Sequence, residues 1–423
     1  MEAVQRTRRC CRTREEKDSQ EGRGTKQICW PLSRETFERI WDDPVAVRAE
    51  LKVAIQRTPE LFPPGIEQGF RLTGRGAESV KLPGIRLRQL RLSNGGVYWL
   101  RPSFVMPYMT GITDDSEYPL RLMEFGVPGW LVAVKFGHDA HFWDRQVERL
   151  GRNSLVGTTV KDPAKLPEHL VADEHHADWC GQKGYLALTV GGGCFLGAAL
   201  TESADEEHLT AAYGTFAAEA RDLAPEYAPQ TVNTDGWTAT QNAFRTWFST
   251  ITVVLCFLHG FLKIRDRCRK AHPLHQSVWE VYRAETATDF QTRMQTFRQE
   301  TEAGNWPTAV KEVLAKLWNK AAEYALAYAH PACRRTSNMV DRLTNRLYRI
   351  LYAHRGLHGH QSTSELRQRG HCLLLNFCPF APRAGKPRQY HSPAHRLNQK
   401  QYHDNWLENL LISASLGGFR GRT

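Results

Sequence analysis

Residues 231–237 read Thr-Val-Asn-Thr-Asp-Gly-Trp, TVNTDGW. A short strand-like run delivers a carboxylate, Asp235, to its end, and a glycine follows at once. The pattern fits a β-strand leaving a sheet through a sharp turn, because glycine adopts backbone angles that other residues resist. Asp235 then either caps the next helix or holds a cation. The choice depends on whether other segments deliver carboxylates to the same place.

Upstream, residues 166–173 (LPEHLVAD) read as a short strand that also ends in an acid, Asp173. Residues 184–200 (GYLALTVGGGCFLGAAL) read as two strands joined at Gly191-Gly192-Gly193, a hairpin. Residues 204–223 predict a helix with acids near its N-terminus, where the helix dipole favours them. A helix over 238–248 and a β-branched buried strand over 251–258 (ITVVLCFL) follow. The order β, β-hairpin, α, β, α, β is that of an α/β RNase H-like core, a mixed five-stranded sheet with flanking helices. In that order the first and fourth strands are neighbours, about 4.8 Å apart. Asp173 and Asp235 at matching ends could then share one cation.

Residues 271–330 have helical character throughout and read as an all-α insertion. Residues 338–354 (NMVDRLTNRLYRILYAH) predict a helix that packs Val340, Leu343, Leu347 and Ile350 on the sheet. Asp341, Asn345 and Tyr348 occupy an adjacent face. The core is therefore expected in two parts, 161–270 and 331–380.

The region 27–160 predicts an α+β unit. Residues 33–60 form a helix capped by Ser33 with Glu35 in its first turn, and residues 85–106 a hairpin turning at Asn94-Gly95-Gly96. Residues 117–150 form short helices broken at Val127-Pro128-Gly129 and Gly137-His138-Asp139. Such helices suit a helix-turn-helix DNA reader and plain packing alike. Residues 1–26 read as a charged disordered tail, without the apolar stretch of a secretory signal. Residues 381–423 read as a basic C-terminal tail, extended over 381–402, with a short amphipathic end.

The net charge of +11 is unevenly spread. Residues 260–423 carry 26 Lys+Arg against 12 Asp+Glu, so the excess lies in the C-terminal part. A polyanion, with DNA the first candidate, is the partner such asymmetry suggests. The bland reading is a solvated basic surface. No apolar run approaches the roughly 18 residues of a membrane span. Ten cysteines without a CxxC pair point to reduced thiols, and hence to a cytoplasmic protein.

Three acids thus have reasons to converge: Asp173, Asp235 and Asp341. Phosphodiester chemistry needs such a set, because two Mg²⁺ or Mn²⁺ ions about 4 Å apart activate the attacking oxygen and stabilise the leaving one. Each acid alone is more ordinarily a cap, a loop residue or a solvated helix residue. Glu365 is the other candidate for the third acid. Cys256 and His259 make half a zinc site, which His175, His176 or Cys180 could complete. Otherwise Cys256 is buried on its strand and His259 lies near the acids or positions DNA.

At these residues the chain resembles a family. Asp235-Gly236-Trp237 followed by Leu255-Cys256-Phe257-Leu258-His259-Gly260 looks like the second acid and the Cys-x-x-His signature of bacterial DDE transposases of the Mutator-like insertion-sequence group. TSNMVDRLTNRL (residues 336–347) resembles the third-acid motif of that group, and LVADEHHADW (170–179) the first-acid strand. RPSFVMPYMTG (101–111) and LGRNSLVGTTV (150–160) have the same look. One departure is Asp341, where the family pattern usually has Glu. The resemblance implies cleavage at the ends of a mobile element and strand transfer into target DNA, with Asp173, Asp235 and Asp341 holding the metals. It also implies binding of terminal inverted repeats by the N-terminal region and a synaptic dimer or larger homo-oligomer. Arg342, Arg346 and Arg349, beside the third acid, are the candidate DNA contacts. A DNA-binding relative that has lost catalysis, and a nuclease that cuts without joining, are the rival readings.

Overall fold

The computed structural model describes residues 26–267, 272–336, 338–382 and 388–419. The expected N-terminal tail, with Cys10 and Cys11, therefore lies outside the described residues, save Lys26.

The chain opens with β1 (Gln27–Trp30), α1 (Arg34–Ile40), α2 (Pro44–Arg57), β2 (Phe70–Arg75), β3 (Arg88–Leu92) and β4 (Val97–Pro102). These strands form a sheet in the order β1-β4-β3-β2, with β1 parallel to β4 and the other pairs antiparallel. The hairpin stands where expected, and Asn94 Oδ1 accepts the Gly96 N–H at 3.0 Å. Ser33 caps α1 by accepting the Thr36 N–H at 3.2 Å. The single helix expected over 33–60 is two. Asp43 accepts the Val45 N–H at 2.8 Å and Pro44 occupies the first turn, so Asp-Pro both stops one helix and starts the next. β1 and β2 escaped prediction because QICW is too short to show alternation and FRLTGR is half polar.

Next come α3 (Thr113–Glu124), α4 (Gly129–Phe136), α5 (Ala140–Gly151) and α6 (Leu155–Thr159), broken at the two expected turns. Then follow β5 (His169–Trp179), β6 (Gln182–Gly191), β7 (Cys194–Thr201), α7 (Glu206–Leu223), β8 (Thr231–Thr234), α8 (Thr238–Trp247) and β9 (Thr252–Leu255). The second sheet has the order β7-β6-β5-β8-β9. β6 runs antiparallel to both its neighbours, while β5, β8 and β9 are parallel. The protein is thus mixed α/β with two mixed sheets, of four and five strands.

Two expectations need correction here. β5 does not end at Asp173 but continues to Trp179, because its antiparallel pairing with β6 outlasts its short pairing with β8. The strand expected over 251–258 stops at Leu255, and α9 (Phe257–Arg267) begins at once. Cys256 therefore sits at a strand–helix junction, where its N–H still donates to Thr234 O at 2.8 Å.

α9 is followed by α10 (His272–Tyr282), α11 (Ala287–Ala303), α12 (Thr308–Asn319) and α13 (Ala321–Ala325). They share a hydrophobic cluster of their own, built on Phe257, Phe261, Val278, Phe290 and Leu314. The chain then returns to the five-stranded sheet with α14 (Asn338–Ala353) and α15 (Gln361–Phe377), followed by α16 (Pro393–Asn398) and α17 (Trp406–Ser413).

Strand alternation divides the five-stranded sheet between two cores. Val171, Leu186 and Leu188 face the larger cluster, which contains Val340, Leu347 and Ile350 of α14. Leu170, Ala172 and Ala187 face the cluster that contains Tyr213 of α7 and Phe244 of α8.

The expected C-terminal tail is not a tail. Leu407, Leu410, Leu411 and Ile412 of α17 are buried in the same cluster as β1. Ser103 Oγ donates to Glu408 at 2.6 Å, and Ser415 Oγ donates to Leu61 O at 2.7 Å. The basic residues before α17 also have partners in the body of the protein. The guanidinium of Arg396 lies over the Phe380 ring, 5.6 Å from its centroid, and Lys400 pairs with Glu60 at 2.9 Å. The amphipathic end was legible, but not what covers it, because β1 lies more than three hundred residues away in the chain. Among the described residues no helix is long and apolar enough to cross a membrane.

Candidate active site

The parallel pairing of β5 with β8 sets Leu170 beside Val232 and Val171 beside Asn233. Continued two residues at the same offset, it sets Asp173 beside Asp235. Both lie just beyond the last paired positions, where the two backbones separate. By alternation Asp173 shares the face of Val171, the face on which α14 packs. Asp341 stands in the first turn of α14.

The electrostatics agree with this convergence. The Asp173 carboxyl is pushed up to about 6, first by burial and then by the negative charges of Asp235 and Asp341. His259 opposes that shift. The imidazole of His259 is itself raised to about 8, most by its hydrogen bond with Cys256, against burial, and further by Asp235 and Asp173. The charges of Asp235 and Asp173 thus favour the protonated form of His259.

Asp235 does not cap the next helix: the N-cap of α8 is Trp237, and no side chain caps it. Asp235 Oδ1 accepts the Trp237 N–H at 2.9 Å, closing the turn after β8. Gly236, at φ 96°, supplies the left-handed backbone this turn requires.

Glu174, absent from the sequence-based site, points the other way. Its Oε1 accepts the hydroxyls of Tyr213 and of Thr240, the latter at 2.5 Å. Burial raises its pKa to about 7 against these two hydrogen bonds. The adjacent acids of VADEHH were a visible signal, because neighbouring strand residues face opposite sides. Glu174 fastens α7 and α8 to the strand that carries Asp173.

Glu365 is placed elsewhere. Its Oε2 accepts the Leu200 N–H at 3.0 Å on β7, two strands from β5. Of the two candidates for the third acid, only Asp341 is near enough for its charge to raise Asp173. Arg346 needs a correction as a DNA contact: it is ion-paired with Glu124, whose side chain is wholly buried on α3. Arg342 and Arg349 are exposed on α14.

The zinc alternative loses its partners. The His175 ring meets Tyr348 edge-on at 5.5 Å, and His176 lies 4.8 Å from Tyr185. Cys180 Sγ donates to Gly359 O at 3.7 Å. Among the described residues, no three His, Cys, Asp or Glu side chains stand close enough to hold one metal ion. The donor chemistry of the three aspartates nevertheless suits Mg²⁺ or Mn²⁺, which take hard carboxylate oxygens and keep much of their water. The repulsion that raises Asp173 is the kind a divalent cation relieves.

Beside the acids lies a cavity of about 310 Å³. Asp235 stands on its sheet side, and His259 of α9, Lys316 and Lys320 on its helical side. The two lysines were invisible as site residues, because an i, i+4 lysine pair is ordinary on any surface helix.

No family model matches the chain, and none of the curated proteins matches it either.

Proposed function

We propose that this protein is a DNA transposase with an RNase H-like catalytic core, interrupted by the all-α insertion α9–α13, cutting and joining phosphodiester bonds with divalent metal ions. The observation that carries the reading is the register of β5 and β8, which aligns Asp173 with Asp235 while Asp341 is near enough to raise Asp173. The strand order, the return of the chain to the sheet at α14 and the basic charge support it.

Asp173, Asp235 and Asp341 would hold the metal ions, which supply Lewis-acid activation of the attacking oxygen and charge relief at the leaving one. The residues of the chain do the rest. Gly236 and the Asp235 turn fix one carboxylate at the sheet edge. Glu174, held by Tyr213 and Thr240, fixes the strand that bears the other. Protonated His259 offsets part of the negative charge between turnovers. In the first step water oxygen attacks phosphorus and the bond to the 3′-oxygen breaks, leaving a 3′-hydroxyl. In the second that hydroxyl attacks a target phosphodiester, and a target 3′-oxygen leaves with the proton. DNA contacts come from exposed cations such as Arg342 and Arg349, which position without reading sequence.

The test uses the purified protein and a plasmid carrying the DNA that flanks its gene, with Mg²⁺ or Mn²⁺. The expected result is cutting at discrete ends and joined products, both reduced at least about a thousandfold by Asp235→Asn, a loss of roughly 4 kcal/mol of barrier lowering. Cutting without joining would leave a nuclease. DNA binding with no cutting would leave a binding-only relative.

A further inference from the structure

The chain returns from its helical segment through Arg334 and Arg335, and three elements of the candidate site meet there. Asn233 of β8, buried two residues before Asp235, donates its Nδ2 to Arg334 O at 2.9 Å. Phe257, the first residue of α9 and two before His259, donates its N–H to Arg335 O at 3.1 Å. α14, with Asp341 in its first turn, begins three residues beyond Arg335. The strand of one acid, the helix of the histidine and the helix of another acid are thus tied at two consecutive residues.

The Arg335 side chain anchors this crossing. Its guanidinium lies over two rings, 4.6 Å from the centroid of Tyr282 and 5.2 Å from that of Tyr328. Its Nη1 donates to Tyr282 O at 2.8 Å, and to Ala284 O and the Tyr328 hydroxyl at 2.9 Å. Tyr282 ends α10, and Tyr328 lies in the helical turn Leu326–Ala329. Two ring faces, two carbonyls and a hydroxyl suit a flat cation with several fixed donors, which arginine is and lysine is not. We propose that Arg335 is a positioning residue: it lets the helical segment α10–α13 grip the start of α14, and so holds Asp341 in place against the strand of Asp235 and the helix of His259. The proposal rests on the catalytic reading for what Asp341 does there; the grip on α14 itself does not. Loss of the grip should loosen the first turns of α14 without unfolding either core. Leu347 and Ile350 still pack in the large cluster, and Val278, Phe290 and Leu314 in the cluster of the helical segment.

The test compares the full-length wild type with Arg335→Lys, which keeps the charge and loses the flat fork, and with Tyr328→Phe, which removes a single acceptor. Amide hydrogen exchange, without DNA or metal, is read separately over residues 338–347 and in the cluster of α10–α12. Arg335→Lys is expected to speed exchange over 338–347 about tenfold, as loss of one hydrogen bond to a charged group implies, and to leave the cluster as in wild type. Tyr328→Phe should show the same pattern more weakly. Mn²⁺ binding without DNA, followed by electron paramagnetic resonance, should weaken about tenfold in Arg335→Lys. DNA affinity in EDTA should stay unchanged. Cutting by Arg335→Lys should recover as Mn²⁺ is raised, whereas Asp235→Asn should not recover. Unchanged exchange over 338–347 in both variants overturns the proposal. So does exchange that rises equally in α14 and in the cluster, which would make Arg335 a stability residue only. Faster exchange over 338–347 with unaltered Mn²⁺ binding overturns it too, because Asp341 would then not depend on the grip. Wild type that binds Mn²⁺ no better than Asp235→Asn sinks the metal reading instead, and the exchange measurement still decides what Arg335 holds.

Discussion

Two clusters of acids lie on one five-stranded sheet, and they are built on opposite principles. At the β7 edge, Glu219 and Glu365 flank Arg369, which lies in an ion pair with Glu219 and also donates to Gly151 O at 3.1 Å and Asn153 O at 3.0 Å. Ser154 Oγ and the Val156 N–H complete the shell of Glu219 at 2.9 and 3.1 Å. At the β5–β8 end, the charges of Asp235 and Asp341 add to burial in raising Asp173. The first cluster holds a buried guanidinium in an ion pair and binds α5, α6, α7 and α15 together. The second concentrates negative charge where β5 and β8 separate. Glu219 is held by a cation within the fold, whereas Asp173 is raised by burial and by the charges of its neighbours.

The comparison can be broken most forcefully at Arg369. Arg369→Met should leave Glu219 buried beside Glu365 without a cation, and destabilise the fold by about 3–5 kcal/mol. Chemical denaturation measures it. A loss below about 1 kcal/mol would mean that water, not Arg369, neutralises this edge.

Asp173→Asn should act in the reverse direction, stabilising the fold while removing activity. The folded-state pKa of Asp173, about 6, lies above its ordinary 3.8, so the fold binds this proton more tightly than the unfolded chain does. The charged form therefore subtracts stability as pH rises from about 4 through about 6, and the full deficit persists above. Wild type and Asp173→Asn should be equally stable near pH 3–4 and differ by up to about 3 kcal/mol at pH 7. Mg²⁺ at pH 7 should narrow that gap by stabilising the wild type alone. Denaturant titrations at several pH values, with and without Mg²⁺, check both statements. A gap that does not depend on pH would show that Asp173 is not under this strain.

The smaller contrast lies on α14. Arg346→Ala should cost about 1–3 kcal/mol of stability, because Glu124 is left buried beneath it. Arg349→Ala should leave stability within about 0.5 kcal/mol and lower the salt dependence of DNA binding by about one ion. If Arg346→Ala changes only DNA affinity, the ion pair with Glu124 is not what holds that side chain.

Much of this was legible in the chain before folding. The glycine turns at 94–96 and 191–193, the cap Ser33, the acids opening the helix over 204–223, the apolar stripe of α14 and the strand at TVNTDGW all announce themselves within a few residues. Hydrogen bonding and side-chain periodicity act over such distances, so local sequence specifies them. Less legible was the extent of β5, because a strand ends where its partner ends and β6 outlasts β8.

The sequence by itself therefore determined most of the elements of the five-stranded sheet and the presence of acids near their ends. The tertiary structure decided which acids meet. Asp341 and Glu365 are both helix acids downstream of the same insertion, and only packing sends one to β5 and the other to β7. Packing also committed Arg346 to Glu124, buried α17 beside β1 and set two ordinary lysines beside Asp235. The reason is physical: the state of a charge depends on the few ångströms around it, and those are filled by residues far away in the chain.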